Sequence, residues 1–459
     1  MGAEGQSVAH LEDGMVVFVP FAAPGDVCKL QITKKRKKIA QGKIVELVTP
    51  GPDRRIPQCD HFGICGGCKW QHVFYHSQLA AKEQQVIDAL ERLGKVYPEE
   101  HRPILGCLQE YHYRNKVEFT FSNKRWLTEE EIQQSEELLK PADRYGLGFH
   151  IPGKFDKVLN LNKCHIAHPL ANELSDFIRR FTLEHADQYS YFDLREQKGL
   201  MRTLMIRTAS TGESMLLVAF AQPQQQAIDR LLEAIKSHFP SLTSLLYVIN
   251  EKRNDTFGDL HVHCYHGSDH IYDTIEDLRF KISAKSFFQT NTAQAERLYR
   301  IARDLADLQP TDIVYDLYTG TGTIACFVAK KCKQVIGIEY VPEAIEDAKE
   351  NSAINSIDNT LFYAGDMKDI LTDDFIETHG KPDVIITDPP RAGMHEDVVK
   401  TILRAHPKRI VYVSCNPATQ ARDAALLVEG GYHIKVSQPV DLFPQTHHVE
   451  NVLLFEANQ

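Results

Sequence analysis

The chain has 459 residues, of which 43% are hydrophobic and 25% charged, and carries a net charge of −10. That length exceeds what one core usually organises, so two or three folded units are expected, and the acidic balance excludes a uniformly basic coat that would hold nucleic acid by charge alone. Met1–His10 lacks a basic start and an apolar signal core, and no run approaches about 18 apolar residues, so neither export nor a membrane span is expected and the cytoplasm is the expected compartment.

Ten cysteines in a reducing compartment point to metal ligands, catalytic thiols or buried fillers before structural disulfides. Along the chain, MVVFVPF, VCKLQI and KIVELV are short apolar stretches broken by Gly and Pro between Val8 and Val48, which predicts a small OB-like β-barrel over 1–58. This region holds nine Lys/Arg against six Asp/Glu. Lys34, Lys35, Arg36, Lys37 and Lys38 form either a solvated turn or a phosphate-contacting edge. GPDRRIP reads as a linker. Next come Cys59, Cys65 and Cys68 in C-x5-C-G-G-C, whose glycines let thiolates converge on one centre. Leu79, Val86, Leu90 and Leu93 then recur at helical spacing, ending at Gly94 as a glycine C-cap.

Residues 59–284 carry strand-like runs (YRNKVEFTF, LMIRTA, SMLLVAF) with helices between them, an α+β middle domain. From 285 to 459 the pattern becomes strand, turn, helix: IVYDLYTGTG, VIGIEY, VIITDPP, RIVYVSC. Such alternation predicts a Rossmann-like parallel sheet covered on both faces. Glycines 320 and 322 let the backbone bend sharply after the first strand. Glu339 ends the second strand 23 residues beyond Asp316, where a carboxylate can take a ribose diol; the spacing suits either a dinucleotide or S-adenosylmethionine. Asp316 at the strand end disfavours a pyrophosphate, and Asp388-Pro389-Pro390-Arg391 follows the fourth strand; both favour the methyl donor. Cys415 follows IVYV at a ligand-binding sheet edge, with Arg391 available to favour a thiolate. Glu450 precedes the last strand and, on spacing alone, reads as a surface acid.

DPPRAG at 388–393, KRIVYVSCNPATQARD at 408–423, HHVE at 447–450 and SFFQTN at 286–291 resemble the signature segments of the RNA (uracil-5-)-methyltransferases, and the likeness extends over nearly the whole chain. The resemblance implies that Cys415 attacks carbon 6 of a uracil, which makes carbon 5 nucleophilic, and that Glu450 removes the carbon-5 proton. It places Gln289, Tyr318, Glu339, Asp388 and Asp366 on S-adenosylmethionine, makes Arg391 a support for base or nucleophile, and adds Cys164 as a fourth ligand. The four cysteines then suit a [4Fe-4S] cluster, with zinc as the rival. The N-terminal barrel resembles a TRAM domain, and barrel plus cluster favour 23S ribosomal RNA over transfer RNA as partner.

Tyr113, Arg114, Asn115 and Lys116 either hold RNA or pack a strand. Cys28, Cys107, Cys264, Cys326 and Cys332 read as unpartnered thiols. A monomer suits docking on a large RNA. Two rivals remain: adenine amino-methylation, which also uses D/N-P-P but needs no thiol, and a non-catalytic iron–sulfur RNA-binding module.

Overall fold

The computed structural model describes residues 1–458 except 12, 128–130 and 133–140. Strands β1 (Gln6–His10), β2 (Val16–Pro20), β3 (Val27–Arg36) and β4 (Ile39–Thr49) form one sheet in the order β1-β2-β4-β3. β1 and β3 stand at its opposite ends among the described residues. Its core is small: Met15, Val17, Val19 and Ala40, with Ala9, Ala22, Leu30 and Ile44 packed against them. The Lys34–Lys38 run is exposed at the β3–β4 turn.

After the cysteine segment, the helix Tyr75–Asp88 runs into a π-helical turn, Ala89–Gly94. The predicted stop is shifted by one residue: Lys95, not Gly94, takes the left-handed conformation with φ 52°. Gly94 is needed for another reason, since a Cβ there would lie 2.6 Å from the carbonyl oxygen of Ala421. The chain then forms β5 (Glu100–His101), which pairs with a strand more than 300 residues away.

The middle sheet contains β6 (Lys116–Ser122), β7 (Gly146–Ile151), β8 (Lys154–Asn160), β9 (Met201–Thr208), β10 (Ser214–Phe220), β11 (Ser244–Ile249) and β12 (Val262–Gly267), in the order β12-β11-β10-β9-β6-β7-β8. Both faces are covered, as the continuous apolar run of β10 requires. Leu216, Val218 and Phe220 pack with the helices Pro169–Glu184 and Gln225–His238. Met215, Leu217 and Ala219 point the other way, into a core shared with the C-terminal unit. Alternation along one strand therefore joins the two units.

A hairpin, β13 (His270–Ile275) and β14 (Leu278–Ser283), places Ile271, Ile275, Leu278 and Phe280 in that shared core beside Ala295, Leu298 and Ala302 of the helix Thr292–Ala306. The hairpin and the segment around β5 thus pack with the C-terminal strands. Strands β15 (Ile313–Leu317), β16 (Gln334–Glu339), β17 (Thr360–Ala364), β18 (Val384–Thr387), β19 (Arg409–Ser414), β20 (Tyr432–Val440) and β21 (Glu450–Ala457) complete it. Its sheet order is β17-β16-β15-β18-β19-β21-β20-β5. The strands β15 to β19 are mutually parallel, and β21 runs antiparallel between β19 and β20. Among the described residues no helix is long and apolar enough to cross a membrane.

Candidate functional site

In open α/β sheets ligands gather at the carboxyl edge of the parallel strands. Here β15 brings Asp316 to that edge, β16 brings Glu339, and Asp388 and Cys415 lie just past β18 and β19. Because β21 is antiparallel, its first residue, Glu450, reaches the same edge, with Asn451 opposite Ser414 in the ladder. Asp316 and Glu450 are buried and Asp388 is half-buried. Burial pushes the carboxyls of Asp316 and Asp388 up to about 7, and that of Glu450 up to about 8, where the Asp388 charge adds to the effect and Arg391 opposes it. The Cys415 thiol is pushed up to about 11 by burial and then by Glu450 and Asp388, while Arg391 opposes through its charge and a hydrogen bond. Glu450, Asp388 and Arg391 therefore all act on the Cys415 thiol, and of the three Arg391 alone lowers its pKa.

Glu339, Tyr318 and Asp366 lie along the same edge, and Gln289 lies in the loop ahead of the helix Thr292–Ala306. Glu339 accepts hydrogen bonds from the backbone N–H of Gly320 at 3.1 Å and Val341 at 3.0 Å. Tyr318 adopts a left-handed conformation, φ 63°, a strained choice for a non-glycine residue that is characteristic of functional turns. At Gly320, φ +55°, an added Cβ would meet nothing within 4 Å, so the turn faces open space. One oxygen of Asp316, Oδ1, is buried without a partner, while Thr319 donates its hydroxyl to Oδ2. Asp366 caps the turn Met367–Ile370, and the Lys368 N–H holds its carboxyl below the usual range. The Gln289 carbonyl accepts from Asn115 Nδ2 at 3.0 Å, and its side chain is hydrogen-bonded to Tyr299.

Tyr299 escaped the sequence reading. It is buried among Asp388, Asp316 and Glu450, yet its spacing from Ala295, Leu298 and Ala302 reads as an ordinary core face.

Several buried amides fix this geometry. Asn416 caps the helix Pro417–Glu429 by accepting from the Ala418 N–H, and its Nδ2 donates to the Arg391 carbonyl at 2.9 Å. Gln420, fully buried, donates to the carbonyls of Tyr412 and Asn451 and accepts from Asn451 Nδ2 at 2.9 Å. That ties the end of β19 to the start of β21, and so Cys415 to Glu450. Asp423 accepts from the Met394 N–H and the Tyr412 hydroxyl, both at 2.8 Å.

The loop ahead of Glu450 is held from the other side by Gln445. Its Oε1 accepts from Arg55 and Gln78, its Nε2 donates to Glu110, and its carbonyl accepts from the N–H groups of Lys69 and Trp70. Lys82 and Asp441, both completely buried, form an ion pair at 2.6 Å beneath the same loop.

Cys59, Cys65, Cys68 and Cys164 line one cavity of about 730 Å³, which also reaches Arg114, Arg207, Phe287, Phe443, His448 and Arg391. All four thiols are pushed up by burial, Cys65 to about 11 and Cys68 to about 12, and the cysteines raise one another. Each sulfur also receives hydrogen bonds that favour thiolate: His61 and Phe62 on Cys59, Gly67 on Cys65, Gln71 on Cys68, and Ala167 and Ile166 on Cys164. Among the described residues, no three His, Cys, Asp or Glu side chains stand together as ligands for one metal ion. Cys28, Cys107, Cys264, Cys326 and Cys332 are free thiols.

Comparison with known proteins agrees with this geometry. The model of the tRNA (uracil-5-)-methyltransferase family matches residues 268–458, and that of the TRAM domain matches residues 2–45. A Porphyromonas gingivalis protein described as an RNA methyltransferase is 61% identical over 100% of this chain and 98% of its own length. A Bacteroides thetaiotaomicron protein of the same description is 55% identical over 99% and 100%. Among solved structures, the Pyrococcus abyssi tRNA (uracil-54, C5)-methyltransferase in complex with S-adenosyl-L-homocysteine superposes with a TM-score of 0.72, at 26% identity, over 98% of this chain and 100% of that one. Thiol, carboxylates and glycine turn thus sit on a scaffold whose relatives are RNA methyltransferases, and the chain belongs to the RNA methyltransferases, with an N-terminal TRAM domain and a C-terminal segment that matches the tRNA (uracil-5-)-methyltransferase model.

Proposed function

We propose that this protein methylates carbon 5 of a uridine in RNA, with 23S ribosomal RNA as the substrate. The observation that carries the reading is the arrival of Cys415 and Glu450 at the same sheet edge, with Arg391 hydrogen-bonded to the thiol. Cys415, as thiolate, adds to carbon 6 of the uracil, which places electron density on carbon 5. When bound, S-adenosylmethionine supplies the electrophilic methyl group. Glu450 then takes the carbon-5 proton, and the Cys415–carbon 6 bond breaks with return of the thiolate. Arg391 stabilises the thiolate at both ends of this sequence. A uracil inside a helix cannot reach a thiol at the base of a cleft, so the target is single-stranded or flipped out.

Glu339, Asp388, Tyr318, Gln289 and Asp366 line the edge where the cofactor fits, and the unpartnered Asp316 Oδ1 and the open turn at Gly320 support that fit. Cys59, Cys65, Cys68 and Cys164 hold a [4Fe-4S] cluster in this reading. The N–H donors on every sulfur support it, because such hydrogen bonds stabilise ligated thiolates. The cluster supplies a rigid, charged support beside the RNA cavity. The segments 1–58, 59–284 and 285–459 serve as RNA-binding, cluster and transfer units, and the cytoplasm, where RNA and reduced thiols coexist, is the compartment.

The test is methyl transfer from tritiated cofactor to ribosomal and transfer RNA fragments. Wild type should label the ribosomal fragment and Cys415→Ala neither; unchanged labelling by Cys415→Ala would refute the thiol mechanism, and labelling confined to transfer RNA would refute the substrate.

A further inference from the structure

Arg207 is 4% exposed, yet it forms no ion pair among the described residues, and the carboxylate that acts on its charge, Glu118, is held by Lys116. Its Nη2 donates to the Ser286 carbonyl at 2.5 Å, and its Nε is buried without an acceptor. A buried charge is normally paired, because desolvation without a partner is strongly unfavourable. The neighbours add to the anomaly. Arg207 on β9 stands directly opposite Lys116 on β6, so two cations share one face of the sheet as a cross-strand pair, an arrangement that repels. Glu118 holds Lys116 at 2.6 Å, but Arg114, on the approach to β6, has no ion pair among the described residues and lines the same cavity as Arg207. The cavity at this point presents guanidinium groups with donors to spare and one carboxylate already engaged. A single anion seated there would pair with Arg207 and Arg114 and relieve the repulsion from Lys116.

The position of this group specifies the anion. The Asn115 N–H donates to the Thr290 carbonyl at 2.9 Å, and the Thr208 N–H donates to the Asn115 carbonyl at 2.9 Å. The cationic strand ends are thus tied to the Ser286–Thr290 segment that carries Gln289, and Arg391 borders the same cavity. Arg207 and Arg391 thus line one cavity, the one that an RNA strand presenting a base to Arg391 would occupy. We propose that Arg207 and Arg114, with Lys116 at their margin, form a phosphate subsite that takes one backbone phosphate of the RNA strand entering the pocket. The subsite rests on the proposed RNA substrate. It recognises phosphate rather than base, because guanidinium forks match phosphate geometry and carry no sequence information. It sets the register in which the uridine is presented.

The experiment measures dissociation constants of the full-length protein for an RNA fragment as a function of salt, for wild type, Arg207→Met and Arg207→Lys. Loss of one phosphate contact should lower the slope of log K against log salt by about 1 and weaken binding roughly 10-fold at low salt, with Arg207→Lys keeping most of the slope. Fragments carrying one neutral methylphosphonate linkage at successive positions identify the partner: one linkage should weaken wild type and have no effect in Arg207→Met. A weaker Arg207→Met with unchanged slope and no such linkage would overturn the subsite and leave Arg207 as a strap on the Ser286 carbonyl. If Arg207→Met does not fold, Arg114→Met carries the same slope and linkage prediction. Release of tritium from 5-tritiated uridine RNA by wild type, measured alongside, tests the reaction itself, so loss of that signal with the slope effect intact would refute the chemistry and not the subsite.

Discussion

Glu450→Gln offers a test in which chemistry and stability pull in opposite directions. Glu450 is 5% exposed, and its folded-state pKa is raised from 4.5 to about 8. An acid whose pKa is raised on folding takes up a proton as the protein folds, so its contribution is harmless below the unfolded value and destabilising as pH rises toward the folded value. At 1.36 kcal/mol per unit, the penalty is under about 1 kcal/mol at pH 5, about 3 kcal/mol at pH 7 and larger still at pH 9. Glutamine has the shape of the protonated acid and cannot ionise, so Glu450→Gln should remove that penalty. For a unit the size of the C-terminal one, the gain in Tm is then about 6–12 °C at pH 7 and no more than about 3 °C at pH 5. Thermal melts of wild type and variant across this range read the difference directly. An equal shift at both pH values, or a loss of stability at high pH, would refute the assignment of a buried, mostly protonated carboxyl. Turnover should meanwhile collapse, and a cofactor-dependent protein–RNA adduct that survives denaturation should accumulate, since proton removal precedes release of Cys415.

Arg391 is the cation opposing the upward shift of Cys415, so Arg391→Met should raise the thiol pKa beyond about 11 and slow alkylation by iodoacetamide at pH 8; unchanged alkylation would remove Arg391 from that role. Lys82→Met leaves Asp441 charged and sealed, which should cost about 3–5 kcal/mol, and the double variant Lys82→Met/Asp441→Leu should recover most of it; equal Tm values for single and double variants would argue against the pair. Anaerobically prepared protein should contain iron, and Cys68→Ser should lose it; stoichiometric zinc in its place would contradict the cluster.

What the sequence made legible was local. Asp316, Glu339, Asp388 and Cys415 each follow an apolar run that reads as a strand, so their arrival at one edge followed from alternation of strand and helix. Glu450 needed the family resemblance, because nothing in its neighbourhood announces that β21 inserts antiparallel between β19 and β20. Tyr299, Gln445 and Arg207 were illegible for a common reason: each takes its meaning from partners far along the chain. Gln445 meets residues 55, 69, 70, 78 and 110, and none of those contacts leaves a periodic trace. Gly94 shows the limit within a single element. Its place after a helical pattern indicated a cap, but what excludes a side chain is the carbonyl of Ala421 on another helix.

The short strand β5 has a consequence for how the molecule comes into being. Val436 pairs with Glu100 and Ser437 with His101, and backbone bonds from Glu99, Arg102 and Leu105 continue along the outer rim of β20. An early part of the chain therefore shields one rim of a sheet whose strands are synthesised hundreds of residues later. Until β20 emerges, residues 99–105 have no partner to dock on; once it does, they are already waiting. A gene fragment starting at residue 268 would lack that cover and present bare backbone donors and acceptors to its own copies, a geometry that invites edge-to-edge association. Separating the transfer unit from its upstream segments would thus be expected to produce aggregates before it produced a minimal enzyme.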